Sequence, residues 1–204
     1  MKDLQSSKKL KADFYRRELL TVAKDLLGKI FVKIDGKNFL AGKIVETEAY
    51  NGDFDEAAHS FEGKTKRTEI MFEAGGYLYV YFTYGVHYCC NVVTGKKGQG
   101  TAVLIRAIEP ISGQDKMIKN RFGRKLNNEK EAINLTSGPG KICQAFAIEK
   151  KHSGTDLTKN EIFILDSEKV GNKEIGISKR IGISKSVDLP WRFFIKNNPY
   201  LSRK

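Results

Sequence analysis

Apolar positions along this chain repeat with two periods, and the switches between them mark its elements. Between Asp13 and Leu27, the residues Leu19, Val22, Ala23, Leu26 and Leu27 recur at the spacing of one buried helical stripe. Asp13 stands where a helix cap would, and Gly28 at the position where a left-handed residue ends a helix. Residues 31–34 and 39–50 then read as strands around Asp35-Gly36, a strong hairpin signal. Gly75-Gly76 leads into a strand over 77–83, Tyr84-Gly85 turns the chain, and a further strand follows over 86–93. Residues 101–108 form another apolar strand with Arg106 near its end. Lys116, Lys119, Arg121, Arg124 and Lys125 mark an interrupted helix over 112–132. Ser137-Gly-Pro-Gly-Lys141 is a tight loop that opens a short helix over 142–148, and residues 163–165 and 191–195 return to strand. No repeat, low-complexity tract or linker interrupts this order. The pattern predicts a flexible basic arm over residues 1–12 and one domain of mixed helix and strand over 13–204.

Charge adds a partner class. The 204 residues carry a formal net charge of +12, which favours a polyanion such as nucleic acid or an anionic membrane surface. A lysine-rich surface kept soluble by charge explains the same number. No apolar stretch follows the polar N-terminal residues, and no run is long enough to span a bilayer; the expectation is a cytoplasmic protein with no membrane contact. The three cysteines, Cys89, Cys90 and Cys143, contain no C-x-x-C pair and read as small buried hydrophobes in a reducing compartment. With three histidines and no metal-ligand spacing, no protein-held metal is expected, and no cofactor.

Three local patterns carry chemistry, each with an ordinary alternative. In a regular strand Glu46, Glu48 and Tyr50 share one face. Two carboxylates beside a ring can supply a general base, but a solvent-facing edge with spare charge has the same pattern. Tyr77, Tyr79 and Tyr81 also share a face, as a stacking platform or as an aromatic ladder in a core. Tyr84 stands beside Gly85 at a hairpin tip, where an exposed ring can wedge into a base stack. His59 is a lone histidine, more often structural than catalytic. The Gly-Pro-Gly loop offers backbone N–H groups to phosphate, or simply starts a helix; it is not a Walker loop.

Taken together these runs resemble the alkyladenine (3-methyladenine) DNA glycosylase family. The matching segments are Ile44-Val-Glu-Thr-Glu-Ala-Tyr50, Asp55-Glu-Ala-Ala-His-Ser60, Met71-Phe72 and Tyr79-Val-Tyr-Phe-Thr-Tyr-Gly-Val-His-Tyr-Cys-Cys-Asn91. Val103-Leu-Ile-Arg-Ala-Ile-Glu-Pro110, Leu135-Thr-Ser-Gly-Pro-Gly-Lys-Ile-Cys-Gln-Ala145 and Arg180-Ile-Gly-Ile183 complete them, in the family's order. The resemblance implies an α+β fold: a single compact domain around a curved, mostly antiparallel sheet, with flanking helices and a protruding aromatic-tipped hairpin. It implies an enzyme, monomeric and monofunctional, that flips damaged purines out of double-stranded DNA and hydrolyses the N-glycosidic bond. Glu48 would activate the water, with Arg106 and the Ile181 carbonyl holding it. Tyr50, Tyr81 and His59 would enclose the flipped base, and Asn91 would crowd the amine of normal guanine. Tyr84 would fill the gap in the duplex, while Arg67, Gly138, Gly140 and Lys141 would hold the DNA backbone. The chain departs from the usual Arg-Asn at Arg67-Thr68, so one loop hydrogen bond or backbone contact is expected to differ. The competing readings are a non-catalytic binder of damaged or distorted DNA and an RNA-binding domain whose aromatic face stacks bases.

Overall fold

The computed structural model describes residues 7–83, 85–159 and 161–203. The single helix expected after Asp13 is broken into α1 (Ala12–Tyr15) and α2 (Leu19–Asp25). Glu18, not Asp13, caps α2. Its carboxylate accepts N–H bonds from Leu20 and Thr21 at 2.9 and 2.8 Å, placing a negative charge on the positive end of the helix. The buried stripe survives the break: Leu19, Val22, Ala23, Leu26 and Leu27 all lie in the core. Gly28 takes φ +84°, the left-handed stop its position predicts. Leu10, placed in the basic arm by the sequence, is buried, and its N–H bonds the Ile164 carbonyl at 2.8 Å.

Among the described residues, eight strands form one antiparallel sheet. They are β1 (Ile30–Asp35), β2 (Asn38–Asn51), β3 (Leu78–Thr83), β4 (His87–Thr94), β5 (Thr101–Ser112), β6 (Ile162–Leu165), β7 (Ile175–Ser178) and β8 (Arg192–Ile195). The order is β3-β4-β5-β2-β1-β6, with β8 pairing both β2 and β7. The spine is β2, 14 residues long and paired along one edge by β5 between Ala41 and Asn51. Its other edge is shared by β1, over the first half, and β8, over residues 46–48. Glu46 and Glu48 therefore lie in a strand hydrogen-bonded on both sides, which removes the solvent-facing-edge alternative. The fold is α+β, one compact domain around a curled antiparallel sheet. The β7 strand was not expected; at four residues, with Gly176 between its two isoleucines and Ser178 after them, it shows too little periodicity to read.

One face of the sheet is the core. Ala49, Val103, Val92 and Leu78 stand in cross-strand register and are fully buried. Against this face pack α2 and α5 (Pro139–Ala145), which begins three residues before its predicted start, with Pro139 in its first turn. A bond of 2.9 Å from Thr47 Oγ1 to the Ala23 carbonyl pins α2 to β2. The interrupted helix resolves into α3 (Gln114–Phe122) and α4 (Glu129–Ile133).

Candidate active site

The opposite face carries the chemistry, and register explains how. Glu48 pairs with Leu104, Leu104 with Asn91, and Asn91 with Tyr79, so these four side chains form one row across β2, β5, β4 and β3. Two residues to one side of this row Tyr50, and two residues to the other side the paired Cys89 and Tyr81, face the same way. Along β2 and β5 the register shifts twice near this row. Ile44 and Glu46 pair with Ile108 and Ala107, leaving Val45 as an extra residue on β2. Glu46 and Thr47 pair with Ala107 and Ile105, leaving Arg106 as an extra residue on β5. A bulge re-aims the side chain it carries. Here it turns Arg106 onto the carboxylates: Nε donates to Glu46 Oε1 at 3.1 Å and Nη1 to Glu48 Oε2 at 3.2 Å.

Glu48 is fully buried. Its Oε2 also accepts from Tyr50 Oη at 2.9 Å, and its Oε1 accepts from the Ile181 N–H at 2.7 Å. Burial raises the Glu48 pKa above its ordinary value, while the Arg106 charge and the N–H and O–H donors work against that rise. Tyr50, burdened by burial and by the Glu48 charge, is held far above the usual phenol range and stays a donor. Arg106 Nη1 reaches the Ile181 carbonyl at 3.3 Å, so Ile181 offers its N–H to the carboxylate and its C=O to the guanidinium.

A cavity of about 460 Å³ opens over this row, a usual size for a small-ligand site. Tyr50, His59, Tyr81, Asn91, Arg106 and Ile181 all line it. Glu48 lies one layer behind, since its three donors are themselves wall residues. His59 meets Tyr81 edge-on with ring centroids 4.3 Å apart, and its Nδ1 lies 3.1 Å from Tyr79 Oη. Burial, then the neighbouring Arg67 charge, lowers its pKa to about 4, so the ring is neutral near pH 7. Asn91, on the lining, donates to the Tyr79 carbonyl at 3.4 Å. The Cys89 thiol, also on the lining, is pushed up to about 11 by burial and stays protonated. All three cysteines are buried and free. Among the described residues no three His, Cys, Asp or Glu side chains gather as metal ligands.

Other expected residues sit differently. Arg67 is exposed, with its guanidinium 6.0 Å from the centre of the Tyr81 ring. Lys141 turns back on its own loop: Nζ bonds Asn134 Oδ1 and, at 3.2 Å, the Ser137 carbonyl. Gly140 lets that loop pass β4, because a Cβ there would lie 3.0 Å from His87. Gly138 caps α5 one residue before Pro139, which reaches the pocket wall. Thr68 is buried and ties its loop through Oγ1, accepting from Thr65 N–H at 2.9 Å and donating to the Gly63 carbonyl at 3.1 Å. Tyr84 lies outside the described residues. No described helix is long and apolar enough to cross a membrane.

Two arginines were missed by sequence reasoning. Arg180 pairs with Asp55, both side chains fully buried, at 2.5 and 2.8 Å. Its guanidinium lies 4.6 Å from the Tyr50 ring centre and backs that wall. Arg192 donates to Glu46 Oε1 at 2.8 Å. Both partnerships span more than a hundred residues, and nothing local in the sequence announces them.

A model of the family described as methylpurine-DNA glycosylase (MPG) matches residues 13–199. A relative from Clostridium novyi (strain NT), named "Putative 3-methyladenine DNA glycosylase", is 49% identical over 97% of this chain and 100% of its own. Relatives of the same name from Carboxydothermus hydrogenoformans and Alkaliphilus oremlandii are 50% and 47% identical, each over 96% of this chain and 99% and 100% of their own. With the match spanning nearly the whole chain, this protein belongs to the methylpurine-DNA glycosylase family and is a DNA glycosylase, a hydrolase of N-glycosyl bonds in base-excision repair.

Proposed function

We propose that the protein excises alkylated purines, 3-methyladenine and 7-methylguanine first among them, from double-stranded DNA as a monomeric, monofunctional enzyme. The observation that carries this reading is the buried Glu48, held by Tyr50, Arg106 and Ile181 directly behind an aromatic pocket. The flipped base enters between Tyr50 and Tyr81, whose π faces favour an electron-poor, cationic purine. Neutral His59 meets its edge, and Asn91 crowds the exocyclic amine of an undamaged guanine. Tyr84 fills the vacated space in the duplex, and the exposed cations, Arg67 among them, meet phosphates.

Glu48 Oε1 accepts one bond from the protein and keeps a lone pair for water at the corner made by Ile181 and Arg106. That water gives its proton to Glu48 as its oxygen bonds C1′. The C1′–N bond breaks, and its electron pair neutralises the departing cationic purine. The carboxylate charge also stabilises the oxocarbenium-like transition state. No amine nucleophile enters this scheme, so the product is an abasic site in an uncut strand. Hypoxanthine and ethenoadenine are neutral and must gain a proton to leave, which makes them the demanding substrates.

The test is single-turnover base release from two duplexes, one carrying 7-methylguanine and one hypoxanthine, with abasic sites revealed by alkali. Release from the first supports the reading, and release from both extends it to neutral bases. Tight binding of both duplexes without release would overturn it in favour of a non-catalytic binder of damaged DNA.

A further inference from the structure

Arg106 is fixed from behind as well as in front. Its Nη1 faces Glu48 and the Ile181 carbonyl, while Nη2 donates to Ser202 Oγ at 3.2 Å and Nε approaches the same oxygen at 3.4 Å. Ser202 is in turn locked onto Glu46: its N–H donates to Oε2 at 2.6 Å and its hydroxyl to Oε1 at 2.7 Å. The hydroxyl thus spends its single proton on Glu46 and presents a lone pair to the guanidinium. Segment 198–203 is held in place by its own ties. Arg192 Nη2 donates to the Arg203 carbonyl at 2.7 Å, and Asn198 Nδ2 to Glu109 Oε2 at 2.9 Å.

We propose that Ser202 is a positioning residue for catalysis: by gripping Nη2 from Glu46, it sets the guanidinium plane so that Nη1 points at Glu48. A planar guanidinium has one orientation that satisfies Glu46, Glu48 and Ile181 together, and a bulged residue lacks ladder pairing to enforce it. Ser202 supplies that restraint, from 96 residues further along the chain. The inference rests on the proposed role of Glu48 and goes beyond it, since Ser202 lies off the cavity lining and bonds Arg106 and Glu46 rather than Glu48.

Ser202→Ala and Ser202→Thr separate positioning from simple stability. Saturating single-turnover base release is measured from a 7-methylguanine duplex, beside the dissociation constant for an abasic-site duplex. The expected result is a roughly tenfold slower release in Ser202→Ala, the worth of one hydrogen bond to a charged group, with duplex affinity unchanged. Ser202→Thr, which keeps the hydroxyl, recovers the rate. Wild-type release in Ser202→Ala, or a rate loss matched by lost affinity or lost folded fraction, would overturn the proposal. A double-mutant cycle of Ser202→Ala with Arg106→Lys, read by urea unfolding, needs no activity. An inactive wild type with clear Ser202–Arg106 coupling would sink the glycosylase reading alone, whereas absent coupling would sink the positioning role.

Discussion

At the scale of single residues, the site turns on how Glu48 stays a usable base while buried. Burial raises its pKa and its donors restrain that rise. The base works as carboxylate, so raising the pKa moves the acid-side loss of activity to higher pH. The pH profile of single-turnover release is therefore expected to fall on an acid limb above 4.5, the ordinary Glu value. His59 moves the opposite way, lowered by burial to about 4. Tyr50→Phe removes the O–H that donates to Glu48 at 2.9 Å and keeps the ring. One lowering influence is lost, so the acid limb of that variant moves further up in pH; an unmoved limb would mean that the Tyr50 hydroxyl does not tune the base. That Glu48 and Tyr50 share a face was legible from strand alternation. Their burial was not, because an exposed strand edge has the same alternation. Only pairing on both edges of β2 decides between the two.

At the scale of elements, the site depends on bulges and on distant ion pairs. Period-two counting assumes unbroken register, and it places Glu46, Glu48 and Tyr50 together correctly. It says nothing of an extra residue at Arg106, since a bulge depends on what the neighbouring strand does. The break between α1 and α2 escaped for a similar reason. Glu18 outcompetes Asp13 as a cap because its side chain reaches two free N–H groups, a matter of local geometry rather than of apolar period. The wall behind Tyr50 leans on Arg180 and Asp55, a buried pair in which either partner alone would be an uncompensated charge. Asp55→Ala is expected to cost about 3–5 kcal/mol of unfolding free energy, measured by urea denaturation. A loss below about 1 kcal/mol, the range of an exposed pair, would show that the pair is not buried in solution.

At the scale of the molecule, one sheet with a covered face and an open face accounts for the division of labour. The covered face holds α2, α5 and the core; the open face holds the row from Glu48 to Tyr79 under the cavity. The fold class was legible because strand alternation dominates the middle of the chain, whereas the short β7 and the seating of Leu10 on β6 depend on contacts made only after folding. The +12 charge belongs to this scale too. Duplex affinity is expected to fall steeply with salt, on the order of a thousandfold from 50 to 200 mM if about six phosphates are engaged. A flat response would contradict a phosphate-tracking surface. The central claim is that Glu48 activates the water that cleaves the N-glycosidic bond. Its most direct test is Glu48→Gln, compared with wild type in single-turnover release from a 7-methylguanine duplex. The account predicts a loss of roughly 10²–10⁴-fold in rate with lesion binding retained. Release at the wild-type rate would contradict it and reduce Glu48 to a structural partner of Arg106.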